Sequence, residues 1–171
     1  MGCMRSRLGV ALVASGLAIL VNTALLSLAD VIVLPTAHGG LLRLIGSVVG
    51  GRLSDLGLPD IWRQIGGPPV GSSAFQMGFH LAVGVAMGIF YAYLVEPLDK
   101  DRPLLVALIY AGLVWIVNAV AVLPLIGEGF AGSRHLSFAG MAWFAAAHTL
   151  YFVALAFIYT ALWRGRPVRA A

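Results

Sequence analysis

The sequence predicts an all-α integral membrane protein: a four-helix bundle made of two tandem helical hairpins, in one domain over residues 1–171. Three observations predict it. The chain is 60% apolar and only 11% charged, whereas a soluble domain carries about a quarter charged residues. Four apolar stretches, at residues 8–34, 74–95, 103–123 and 138–163, are each long enough to cross about 30 Å of hydrocarbon at about 1.5 Å per residue. The Lys and Arg side chains gather beside these stretches rather than within them. Backbone amides in oil must satisfy one another, so each stretch is expected to be a helix.

The first stretch follows Arg5 and Arg7 and stops at Leu34-Pro35, with Asn22 and Asp30 its most polar members. Ser27-Leu28-Ala29 resembles a small-residue cleavage site. The apolar run nevertheless continues through Val31-Ile32-Val33-Leu34 and exceeds the roughly 7 to 15 residues of a secretion signal, so a retained span is expected. The connection from Thr36 to Ser73 is Gly-rich but not featureless. Leu41, Leu44, Ile45, Val48, Val49 and Leu53 recur at helical spacing around Arg43, Ser47 and Arg52, which predicts a short amphipathic helix at the membrane surface.

The second stretch closes at Glu96-Pro97, and the turn Asp99-Lys100-Asp101-Arg102 leads to Pro103, a favoured first helical position. A second irregular connection carries Glu128, Arg134 and His135, and the fourth stretch ends in Arg164, Arg166 and Arg169. Two basic residues at the N-terminus, two in the turn and three at the C-terminus make up seven of the eleven Lys and Arg. An even number of spans puts all three clusters on one side, expected to be the cytoplasm, with Trp62 and Trp163 as interfacial anchors.

The net charge of +4 forms no basic stripe with interleaved aromatics, so nucleic acid is not an expected partner. Cys3 is the only cysteine, which leaves no intrachain disulfide and no cysteine metal cluster. No phosphate loop, nucleophile elbow or catalytic carboxylate pair can be read, so no catalytic residue is assigned. In the outer connections His38, Glu128 and His135 are the residues that could gather round a metal, without a fixed ligand spacing.

The two halves read as an internal repeat. Each has a helix closed by Leu-Pro (Leu34-Pro35 and Leu123-Pro124), a Gly-containing connection, and a second helix with a His followed eleven residues later by a Tyr. The pairs His80/Tyr91 and His148/Tyr159 each fall on one helix face. With Asn22 and Asn118 they form the candidate intramembrane polar site. Gly84 and Gly88, at GxxxG spacing, predict close helix packing. Opposed His80 and His148 rings could also ligate a b-type haem, which the pattern permits without requiring.

Gly78-Phe79-His80 with Gly84, Gly88 and Tyr91, the stretch from Trp115 to Leu123-Pro124-Leu125 with Gly127 and Gly129, and Trp143 with His148 and Tyr151 resemble an uncharacterised bacterial family of small four-span membrane proteins. The resemblance covers residues 75–159 and implies a helical protein of the bacterial inner membrane, without an activity to carry over. The expected role is a structural or accessory membrane component, forming a homo-oligomer through Gly84 and Gly88 or joining a larger complex in the lipid bilayer. The alternatives are a transporter or channel for a small solute or proton, and a haem-binding redox subunit.

Overall fold

The computed structural model describes residues 6–36 and 39–164, and every regular element among them is helical. In chain order these are α1 (Arg7–Val31), α2 (Gly40–Asp55), α3 (Leu58–Gln64), α4 (Ser73–Phe90), α5 (Pro103–Val117), the single turn α6 (Leu123–Leu125) and α7 (Phe138–Arg164). Four helices are long and apolar enough to cross a membrane: Arg7–Val31, Ser73–Leu98, Pro103–Leu125 and Phe138–Arg164. Their outer faces are bare hydrocarbon. Leu20, Leu113 and Phe157 are each more than half exposed, a surface that lipid accommodates and water does not. The chain is therefore an integral membrane protein by length and composition.

Local chemistry starts each span. Ser6, Ser72 and Ser137 accept hydrogen bonds from the backbone N–H groups of Gly9, Phe75 and Gly140, satisfying donors that a first helical turn leaves open. Before α5 the Asp99 carboxylate accepts from the N–H groups of Asp101 and Arg102, and Pro103 then enters the helix.

The ends of the spans hold the surprises. The first span stops at Val31 rather than running to Leu34, because Val33 adopts a left-handed φ of 56°. The N–H of Leu34 returns to the Ala29 carbonyl and that of Val33 to Asp30, closing a Schellman turn. The second and third spans run on to Leu98 and Leu125, beyond the expected 95 and 123. Each passes through a π turn, Tyr91–Val95 and Asn118–Val122, just before its proline. There the N–H of Glu96 reaches back to Tyr91, and that of Leu123 to Asn118. Prolines 97 and 124 have no N–H to give, and the wider turns absorb the break.

This geometry corrects the proposed alignment of the two halves. Leu34-Pro35 lies beyond the end of α1, whereas Leu123-Pro124 lies within α6, so the two Leu-Pro pairs are not equivalent.

The main helix contacts run from α4 to α1, from α1 to α7 and from α7 to α5. Small residues on α1 make the central contacts possible: Ala11, Ala14 and Ala18 are fully buried. A built Cβ on Gly88 of α4 would collide with Ser15 of α1, and one on Gly84 would lie 2.5 Å from Ile19 Cδ1. The Gly84/Gly88 stripe is thus filled by this chain's own first helix, and a second copy would have to use another face.

The amphipathic helix is present as α2, slightly longer than its apolar pattern, and α3 follows it after Gly57 at φ 67°. Neither contributes a buried residue. The Trp62 indole of α3 donates to the Pro68 carbonyl and meets Phe75 edge to face.

Candidate functional site

Between α4 on one side and α5 and α7 on the other, the spans are bridged in two different ways. Toward the end holding the start of α1, aromatic rings fill the space. Tyr110 stacks on Phe90 and Tyr91 and meets Phe152 with ring centres 4.5 Å apart, while Tyr91 meets Tyr159 edge to face at 5.9 Å. Toward the connections the same space is a cavity of about 380 Å³.

All four spans line this cavity. α1 supplies Asn22 and Thr23, α4 supplies Gln76 and His80, the third span supplies Asn118, and α7 supplies His148 and Tyr151. Gly39 to Leu42, at the start of α2, lie across its mouth together with Ser73 and Asp30. Counted along the helices, Asn22 and His148 lie roughly 14 Å below their span ends, and His80 and Asn118 about 10 Å below theirs. The floor is sealed by the Tyr151 hydroxyl, which donates to the Gly84 carbonyl at 2.5 Å.

The Asn22 side chain is the most telling. It is 1% exposed, and neither its Oδ1 nor its Nδ2 has a hydrogen-bond partner among the described residues. The Thr23 hydroxyl on the same helix is likewise buried without one. Asn118 instead donates from Nδ2 to the Val114 carbonyl at 3.0 Å, just at the start of its π turn, which leaves its Oδ1 as an acceptor. His148 Nδ1 lies 2.8 Å from the Phe144 carbonyl, and its ring packs on Phe144. A carbonyl can only accept, so Nδ1 carries the proton, and in the neutral ring Nε2 keeps a lone pair.

Of the six polar residues expected to form one site, His80, His148, Asn22 and Asn118 line the cavity and Tyr91 and Tyr159 do not. The two tyrosines are fully buried beneath it and touch each other. They belong to a second constellation at the far end, where the Arg7 guanidinium pairs with the nearly buried Glu96 at 3.0 Å and donates to the Tyr159 hydroxyl at 3.3 Å. The same guanidinium lies over the Tyr93 ring, 5.1 Å from its centre. Sequence reasoning treated Arg7 and Glu96 as flanking charges. A lone Glu directly before the proline that ends a span was the available signal.

In the connection after the third span Glu128 does meet His135, with Nδ1 to Oε2 at 2.5 Å, but its other oxygen is held by Arg43 of α2 at 2.7 Å. His38 lies outside the described residues, and no group of three or more metal-ligating side chains occurs among those described. The hydrogen bond from Arg43, aided by His135 and partly opposed by burial, holds the Glu128 carboxyl below its ordinary value.

No family model matches the chain, and no curated protein or solved structure does either, so the conclusions about this site rest on its own geometry.

Proposed function

We propose that this chain is a four-helix bundle of two tandem hairpins, with both termini on the cytoplasmic side, that binds a small polar solute in its interior and moves it across the membrane. One observation carries the proposal: polar side chains from all four spans, Asn22, His80, Asn118 and His148 among them, line one cavity of about 380 Å³. Polar groups in an apolar interior are costly, at about 2 to 7 kcal/mol for each left without a partner. A purely structural or accessory bundle has no use for this arrangement, which favours the solute-handling reading over the accessory one.

The cavity faces the connections and is closed below by Tyr151 and the aromatic layer. This supports a binding site that opens alternately to the two sides rather than a continuous pore. Basic residues Arg43, Arg52 and Arg63 on α2 and α3, with exposed Val48, Leu56 and Ile61, fit these helices to the lipid surface beside the mouth.

Solute flux into vesicles tests the proposal. Liposomes carrying the full chain should take up small uncharged solutes such as urea and acetamide faster than protein-free liposomes in a stopped-flow swelling assay. Equal rates, together with no solute-dependent stabilisation of the solubilised protein, would remove it.

A further inference from the structure

We infer that His148 is the recognition residue of this cavity, and that the ligand it takes is neutral, with an N–H or O–H donor at one end of an apolar body. This inference rests on the solute-binding reading above and narrows it to a chemical class.

Exposure within the cavity singles the residue out. The carboxamide of Asn22, the hydroxyl of Thr23 and Nε2 of His80 are fully buried, so these residues meet the cavity through other atoms. Nε2 of His148 makes no hydrogen bond among the described residues and is not one of the fully buried atoms. His148 is half-buried on the cavity wall, and its Nδ1 proton is committed to the Phe144 carbonyl at 2.8 Å. What the neutral ring keeps for a ligand is the Nε2 lone pair, and only a donor satisfies a lone pair. Asn118 adds a second acceptor to the wall, because its Nδ2 is held by the Val114 carbonyl and Oδ1 is left over. The Tyr151 hydroxyl, one turn below His148, has given its only proton to the Gly84 carbonyl and supplies no donor of its own.

Charge argues for a neutral ligand. Among the described residues Asp30 is the only ionised side chain on the wall, and it stands at the mouth, eight residues along α1 and about 12 Å above the depth that Asn22 shares with His148. An anion at His148 would give up its hydration without a counterion and set its own lone pairs against that of Nε2. An ammonium would donate to Nε2 but lie at that depth with no carboxylate beside it. The same wall is otherwise apolar: Val83 and Met87 come from α4 and Val114 from α5, and the Phe144 ring packs on His148 with centres 4.2 Å apart. A volume of about 380 Å³ suits a single ring or a fused pair rather than a peptide or sugar chain.

The test is nitrogen NMR of the full detergent-solubilised chain with isotope-labelled histidine, the His148 signals being assigned by replacing each histidine in turn. Four probes are titrated: indole, N-methylindole, benzoate and benzylammonium. Indole is a neutral N–H donor on an apolar body, and it should bind saturably and move the His148 Nε2 signal in the direction of a nitrogen that accepts a hydrogen bond. N-methylindole keeps the rings without the donor and should bind about tenfold more weakly, because a buried acceptor left unmet is worth about a factor of ten. The two ions should be weaker than indole by about tenfold or more. In His148→Phe the advantage of indole over its methylated form should vanish. The inference is overturned if N-methylindole or either ion binds as tightly as indole, if indole saturates while the His148 signal stays still, or if His148→Phe keeps the preference; solute binding itself would then stand. Should His148→Phe not fold, the contrast between indole and N-methylindole on the parent chain decides alone. No binding by any probe overturns the inference, and flat swelling rates as well would take the broader reading with it.

Discussion

Replacing Gly88 by Ala should loosen the whole membrane domain, and the contact geometry says by how much and how to undo it. The new methyl would collide with Ser15 Cβ, with Ser15 Oγ 3.0 Å and Ser15 Cα 3.3 Å away. Ser15 cannot swing clear. The clashing atom is its Cβ, fixed to the α1 backbone, and its hydroxyl is tied to the Ala11 carbonyl at 2.7 Å. α1 must therefore move off α4, a forced overpacking that costs about 1 to 3 kcal/mol. Ala gains back up to about 1 kcal/mol of helix propensity, so a net loss of roughly 1 to 2 kcal/mol is expected. Gly112 is the control, because a Cβ there meets nothing within 4 Å; Gly112→Ala should stabilise by up to about 1 kcal/mol. Denaturation in mixed micelles, followed by tryptophan fluorescence, measures both. Adding Ser15→Gly should rescue Gly88→Ala, whereas Ser15→Ala should not, since it keeps the offending Cβ. If Gly88→Ala behaves like Gly112→Ala, or if Ser15→Ala rescues as well as Ser15→Gly, the close approach of α1 and α4 is misread.

Other outcomes follow from other parts of the fold. Glu96→Ala should destabilise by about 2 kcal/mol or more by stranding Arg7, and adding Arg7→Leu should recover part of that loss in the same denaturation assay. Val33→Gly should raise stability by about 1 kcal/mol, because it relieves a β-branched residue at positive φ; an unchanged or lower melting midpoint would contradict this. Glu128 has a depressed folded-state pKa, so its contribution is complete above its unfolded value near 4.5 and fades as pH falls through the folded one. The melting-temperature gap between the parent chain and Glu128→Gln, expected to reflect about 1 kcal/mol or less, should therefore be present at pH 6 and close in acid. A gap that widens on acidification would reverse the assignment.

The spans were legible because hydrocarbon thickness and apolar run length are both properties of the sequence, and the amphipathic pattern of Leu41 to Leu53 foretold α2 for the same reason. Their ends were less so. Val33 closes α1 in a backbone conformation that a valine seldom adopts, and no composition rule anticipates it. α3 was hidden between Gly57 and Gly66, where Pro59 reads as a break although it sits in the first turn. His80, His148, Asn22 and Asn118, which line the cavity, stood out in the sequence because polar groups in a span are costly and so conspicuous. Tyr91 and Tyr159 were grouped with them by spacing alone. Spacing fixes a helix face but not which neighbour covers it, and there the neighbours are rings and Arg7.

The two π turns also bear on how this chain tolerates changes in length. An ordinary helix sets successive residues about 100° apart, so deleting one from its interior spins everything beyond the cut out of alignment. A π turn already holds one residue more than the α turn it replaces. Losing one residue from Tyr91–Val95 or Asn118–Val122 returns that turn to normal winding and leaves both flanks where they were. These are the two places in the spans where such a shortening preserves the facing of every other side chain.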